Sequence, residues 1–393
     1  MTDWVKTTVS DISLGVAGGP FGSSLGRKDY TLTGVPVIRG AQLTQSSQFS
    51  HNDLVFVSEA KANQHTGNLA FPGDLIVTQR GTLGQVGRIP VDAPYQRYLL
   101  SQSQMKITID PSLADAQFVY YLLLGPEQQH QLTSAALSAG VPHINLAMLR
   151  EMTLLLPSLT VQRAIASVLL TIDDLIENNR RRVALLEQMA REIYTEWFVR
   201  YRFPGHESAT CADSPLGPIP SGWDVVALGD VLQLKYGKGL PERTRHGGPV
   251  PVVGSAGVVG WHDAPLIAGP AIVLGRKGNV GSVTWVDDPC WPIDTTYFVD
   301  SQVSLPFLAE QLRNMEFINT HAAVPGLDRE QVYGKRMVLP PVALLNQHRE
   351  VFEALHRQAR NLETAVERLT QMRDLLLPKL VTGQIDVSSL SLD

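Results

Sequence analysis

The sequence predicts an α+β chain with an internal pseudo-twofold repeat: two mixed α/β domains, each followed by one long helix, the two helices pairing as a coiled coil. Three observations predict it. Segments of the first half recur in order in the second. Each half opens with short β-like runs punctuated by Gly and Pro. Each half closes on an apolar stripe with alternating three- and four-residue steps.

The repeat comes first because it sets the architecture. WVKTTVSDI at residues 4–12 matches WDVVALGDV at 223–231, an offset of 219. Val35-Pro36-Val37 matches Val250-Pro251-Val252 at 215, and LIVTQRGTLGQV at 75–86 matches IVLGRKGNVGSV at 272–283 at 197. Val141-Pro142 with Val324-Pro325, Leu156-Pro157 with Leu339-Pro340, and Gln188-Met189 with Gln371-Met372 all stand at 183. The offset falls and then holds, so the first half carries about 36 extra residues, all upstream of Val141.

The β-like parts contain runs such as Leu75 to Thr78 and Ala271 to Leu274. In the helical parts Ile172, Ile176, Asn179, Val183, Leu186, Ala190, Ile193 and Trp197 mark one stripe, and Phe352, Leu355, Ala359, Leu362, Val366 and Leu369 mark the other. Such spacing keeps one helix face toward one partner helix, and the polar Asn179 there either fixes register or sits at the edge of the stripe. Each stretch of about 40 residues would span roughly 60 Å if fully helical. Pro157 and Pro340-Pro341 mark the helix starts. The expected division is a first domain at 1–157, a helix at 158–200, a linker rich in Pro, Gly and Ser at 201–221, a second domain at 222–341 and a second helix at 342–393.

Composition is ordinary for globular domains: 393 residues, 44% hydrophobic and 18% charged, with 32 Gly and 25 Pro. No run of eighteen apolar residues and no N-terminal signal pattern occurs, so a cytoplasmic location is expected. Cys211 and Cys290 suggest neither a disulfide framework nor a metal cluster. The sequence lacks a phosphate-binding loop, a dinucleotide fingerprint after a strand, an amino-methyltransferase tetrapeptide and an HExxH pair. His143, His262 and His321 are isolated potential ligands; no metal site and no catalytic centre are expected.

The residues resemble the specificity subunits of type I restriction–modification enzymes. In the first half the resemblance rests on GGPFGSSLGRKDY (18–30), GVPVIRG (34–40), FPGDLIVTQRGTLGQVG (71–87) and VPHIN (141–145). In the second it rests on IPSGWDVVALGDV (219–231), YGKGLPERTR (236–245), VPVVGSAGVVG (250–260), GRKGNVGSV (275–283) and WPIDTTYFV (291–299). The helical parts add LPSLTVQRAIASVLLTIDDLIE (156–177) and LLLPKLVTGQID (375–386). The resemblance implies two target recognition domains, each reading one half of a split site on double-stranded DNA, and two helices packed antiparallel as a spacer. It also implies docking of two modification (methyltransferase) subunits and of restriction/motor subunits. S-adenosylmethionine, Mg2+ and ATP would then reside on those partners, and this chain would carry no cofactor. A net charge of −5 suits such sharing of phosphate binding with partners.

Base edges are read mostly by Arg, Lys, Asn and Gln, and glycines let a backbone approach DNA closely. Gly81, Gly84 and Gly87, and Gly275, Gly278 and Gly281, punctuate matched loops. The candidate DNA-contacting residues there are Gln79, Arg80 and Thr82 in the first half and Arg276, Lys277 and Asn279 in the second. Lys238, Arg243 and Arg245 on the preceding basic loop join them, with Arg39 and Lys28 behind. Arg180-Arg181-Arg182 is either a solvated helix face or a phosphate track. Two other readings stand beside this one: a coiled-coil scaffold binding only protein, and a stand-alone DNA-binding nuclease with a cryptic site.

Overall fold

The computed structural model describes residues 4–44, 48–137, 143–317 and 326–387. Val141-Pro142, Val324-Pro325 and His321 lie outside the described residues. The chain forms two compact units, one of residues 1–181 with 363–393 and one of residues 182–362. Each long helix contributes one part to each unit.

Both units are built on one plan. The first has a four-stranded sheet in the order Ser13–Gly18, Gln104–Ile109, Leu75–Thr78, Val86–Arg88; the second has Gln233–Tyr236, Thr296–Asp300, Ala271–Gly275, Val283–Val286. All neighbours in both are antiparallel. Leu75–Thr78 and Ala271–Gly275 are buried along their whole length, which is why both are near-continuous apolar runs rather than alternating ones. A second layer pairs Val35–Ile38 parallel to Tyr98–Leu100, and likewise Val250–Gly254 parallel to Trp291–Pro292. A two-stranded ribbon leads into each long helix: Val5 stands opposite Leu156 in one unit and Asp224 opposite Leu339 in the other. These pairs carry the offsets of 219 and 183 read from the sequence. The extra residues of the first half include the helix Glu59–Asn63 and the helix Pro126–Leu137.

The first long helix runs Leu159–Tyr194 and closes on a π-helical turn, Thr195–Val199; the second runs Val342–Val381. Every position of the two stripes is buried or half-buried, Asn179 among them, while Leu175, Leu185 and Met189 beside the stripe are about half exposed. In the first unit the Arg373 guanidinium donates to Asp173 (3.1 Å), which also accepts the Tyr121 hydroxyl (2.7 Å). Gly383, just past the second helix, lies on the Trp4 ring, next to the ribbon that feeds the first helix. The two helices are therefore antiparallel within this unit.

In the second unit the helices close over an aromatic core. Phe198 packs edge-on to Phe307 (4.9 Å between ring centres) and to His348 (5.0 Å). Phe352 of the second stripe meets the sheet, with its ring 5.3 Å from Trp285. His356 and Arg360 fasten this end of the helix to Asp287 and Asp288 at 2.6 and 2.9 Å. Residues 201–221, read as a linker, carry structure: Cys211–Ala212 pairs with Ile219–Pro220, and the Tyr201 and Phe203 rings sit 5.4 and 5.3 Å from Trp223. The aromatics in that segment bury themselves rather than remain in solvent.

His348 is 1% exposed and ringed by Tyr194, Trp197, Phe198 and Phe352. Burial pushes its imidazole down to about 4. The unfolded chain then binds a proton that the folded unit refuses, so this residue's contribution is complete above about pH 6.5 and is lost as pH falls toward 4. The loss amounts to about 3 kcal/mol. Comparing urea midpoints of the wild type and His348→Phe at pH 7 and pH 4.5 checks it: the wild type loses more on acidification than the variant. Equal losses contradict the assignment.

Candidate nucleic-acid interface

Each unit presents a tight loop between the second and third of its matched strands in sequence. In the first unit it joins Leu75–Thr78 to Val86–Arg88; in the second it joins Ala271–Gly275 to Val283–Val286. Gly81 and Gly278 occupy equivalent positions with φ of 97° and 78°, and Gly84 and Gly281 do so with 82° and 79°. Side chains rarely adopt that backbone, which explains the three-residue glycine spacing in both halves.

The first residue of each loop is a clamp. The Gln79 side-chain amide donates to the Gln102 carbonyl (2.8 Å), and the Arg276 guanidinium donates to the Asp294 carbonyl (3.0 Å). The backbone repeats the pattern: the Gln79 carbonyl accepts from Ile144 N–H (3.0 Å), and the Arg276 carbonyl accepts from Leu327 N–H (2.8 Å). Each of those segments then starts a short helix, capped by Asn145 on Met148 N–H in one unit and by Asp328 on Glu330 N–H in the other. Two of the candidate readers, Gln79 and Arg276, thus spend their polar groups on shaping the loop.

The next residues point outward. Arg80 and Thr82 are exposed in the first unit, Lys277 and Asn279 in the second, on loops whose backbones are already fixed. Both Arg276 and Lys277 N–H groups donate to the Thr295 carbonyl (2.9 and 3.0 Å), and the Ser282 hydroxyl donates to the Ser255 carbonyl (2.6 Å). The result is a rigid platform offering one cation and one small polar side chain at matching positions in each unit, the residue types that read base edges and phosphates.

Around the second loop the structure adds residues that sequence reasoning missed. Arg276 lies over the rings of Tyr236 (5.0 Å) and Tyr297 (5.8 Å), and Arg329 lies over Tyr236 (4.8 Å). Burial, then the neighbouring Tyr236, pushes the Tyr297 hydroxyl up to about 12, and it donates as a neutral group to the Leu327 carbonyl (3.1 Å). Tyr236 was visible as the aromatic that opens the basic loop; Arg329 had no local signal, because folding alone brings it there.

The remaining candidates divide. Lys238 and Arg243 are exposed, with the Lys238 ammonium 6.0 Å from the Trp291 ring centre. Arg245 is half-buried and tethered, donating to the Leu240 (3.2 Å) and Val259 (2.7 Å) carbonyls. Arg39 donates to the Asp53 carbonyl and is half-buried, whereas Lys28 is exposed. Arg181 and Arg182 are exposed on the first long helix. His143 forms a backbone bridge with Arg80. Cys211 and Cys290 are both free, and burial pushes the Cys290 thiol up to about 11. Among the described residues no helix is long and apolar enough to cross a membrane.

The duplicated domain thus carries matched, cation-bearing loops of the side-chain types found in nucleic-acid recognition. Residues 1–188 match the family described as "Type I restriction modification DNA specificity domain", and residues beyond them repeat that domain's plan. The chain is 24% identical to the Type I restriction enzyme MjaIX specificity subunit of Methanocaldococcus jannaschii, over 99% of this chain and 95% of that protein. It is 19% identical to the Type I restriction enzyme HindI specificity subunit of Haemophilus influenzae, over 98% and 100%. The crystal structure of the S subunit of a type I restriction-modification system from M. genitalium superposes with a TM-score of 0.62 at 18% identity, covering 96% of each chain. Over nearly its whole length the chain is thus similar to type I restriction–modification specificity subunits, and its role is DNA recognition.

Proposed function

We propose that each unit reads one half of a bipartite site on double-stranded DNA, that the two long helices set the distance between the half-sites and dock two modification subunits, and that this chain contributes no catalytic group. Methylation and cleavage then belong to the modification and restriction/motor subunits, which hold S-adenosylmethionine, Mg2+ and ATP. The observation that carries this reading is the pair of equivalent loops presenting Arg80 and Thr82 in one unit and Lys277 and Asn279 in the other. Their side chains differ while the scaffold repeats, which allows two different half-sites to be read from one plan. The net charge of −5 supports sharing phosphate contacts with partners.

The spacer role has a direct test. Four residues inserted after Glu187 add about 6 Å of helix, against about 3.4 Å per base pair. The reconstituted complex then selects duplexes whose half-sites are unchanged and whose gap is one to two base pairs wider. An unchanged gap at full binding removes the spacer role.

A further inference from the structure

Outside the reading loops, the second unit gathers two histidines and a carboxylate at one end of a hairpin. Strands Val250–Gly254 and Gly257–His262 pair antiparallel with Val250 opposite His262. His246 sits just before Val250 across the Gly247-Gly248 turn, so the chain brings it back beside His262 and Asp263. The Nδ1 atoms of His246 and His262 lie 3.4 and 3.2 Å from the two Asp263 carboxylate oxygens. The three potential ligand atoms all lie within 4.8 Å of one another, and this is the one such group among the described residues. His262 is 7% exposed, held edge-on to Trp291 at 5.4 Å. The other two side chains are open to solvent.

We propose that His246, His262 and Asp263 bind a zinc-class divalent cation. Imidazole nitrogen and carboxylate oxygen are the ligands such ions take at about 2.0–2.2 Å, and a tetrahedron with those bonds sets its donors about 3.3–3.5 Å apart. The two separations run to different oxygens of Asp263, so a small turn of that exposed side chain brings one oxygen toward both imidazoles. Three protein ligands leave the fourth position to water, reached from the exposed side of His246 and Asp263. Soft ligands are absent from the trio, which disfavours copper(I), and a hard oxygen-only ion such as Mg2+ gains little from two imidazoles.

The ion has a structural task. The loop at residues 237–249 carries Lys238 and Arg243, and Arg245 already ties it to the hairpin through the Val259 carbonyl. A cation on His246, His262 and Asp263 staples the same loop a second time, at its far end. The basic loop is then held in one conformation. This site stands on its three side chains and does not depend on how the glycine loops read DNA.

The test uses the full chain, stripped of metal and titrated with Co2+ as a visible probe. One equivalent binds with tetrahedral ligand-field bands, and Zn2+ displaces it. His246→Ala weakens binding by at least about 100-fold, more than the loss of a supporting contact gives. Asp263→Asn provides the second variant, since buried His262 is the one ligand whose replacement endangers folding. Cys211→Ser leaves binding intact, which separates this site from an exposed thiol. With Zn2+ at about ten times its Kd, tryptic cleavage after Lys238 and Arg243 slows roughly tenfold in the wild type and not in His246→Ala. Absence of saturable Co2+ bands, undiminished binding in His246→Ala, or loss of binding in Cys211→Ser overturns the proposal.

Discussion

Replacing Lys277 and Asn279 together with alanine lowers the affinity of the reconstituted complex for its preferred duplex by roughly 100-fold, because each base or phosphate contact of this kind contributes about 1–3 kcal/mol. Both side chains are exposed on a loop whose backbone is held by Thr295, Ser282 and the left-handed glycines, so the folded unit survives the change. The salt dependence divides the loss. A phosphate contact by Lys277 reduces the slope of log affinity against log salt by about one, whereas a base contact relaxes sequence preference at its position. Titration of fluorescent duplexes at several salt concentrations measures both. Arg276→Ala acts differently: it frees the Asp294 carbonyl and the Tyr236 and Tyr297 rings, so it disturbs loop shape as well as charge.

Truncating Phe307 to alanine has the second large effect. The ring is fully buried between Phe198 and Tyr194, with centres 4.9 and 5.9 Å away. Removing it costs about 3–5 kcal/mol, a large fraction of the 5–15 kcal/mol that typically holds a domain folded. The cost falls on the second unit, where five of the six tryptophans reside: Trp197, Trp223, Trp261, Trp285 and Trp291. Tryptophan fluorescence during urea unfolding therefore reports this unit almost alone. The midpoint shifts sharply downward in Phe307→Ala; a shift worth less than 1 kcal/mol contradicts the packing described.

Much of the fold was legible in the sequence because its signals are local or periodic. The offsets between repeats made Asp224 the counterpart of Val5 and Leu339 that of Leu156, and the structure pairs Val5 with Leu156 and Asp224 with Leu339 in equivalent ribbons. The three-four stripes named the inward faces of both long helices, since burial along a helix follows a 3.6-residue period. What could not be read was side-chain partnership across the chain. Gln79 and Arg276 have the composition of base readers, yet their acceptors, the Gln102 and Asp294 carbonyls, lie about twenty residues further on. His246 sits sixteen residues before His262, and only the hairpin register brings the two rings within 5.4 Å. Aromatic bulk, too, overrode the linker reading of residues 201–221, because Tyr201 and Phe203 find Trp223 to pack on.

Two readers in one chain is the central claim, and selection of bound duplexes from a random pool tests it most directly. The complex reconstituted with modification subunits is expected to return two short motifs separated by a fixed, unspecified gap. The Lys277→Ala, Asn279→Ala variant then blurs one motif and leaves the other sharp; Arg80→Ala, Thr82→Ala does the reverse. A single contiguous motif, or variants in either loop that blur both halves alike, would contradict the account.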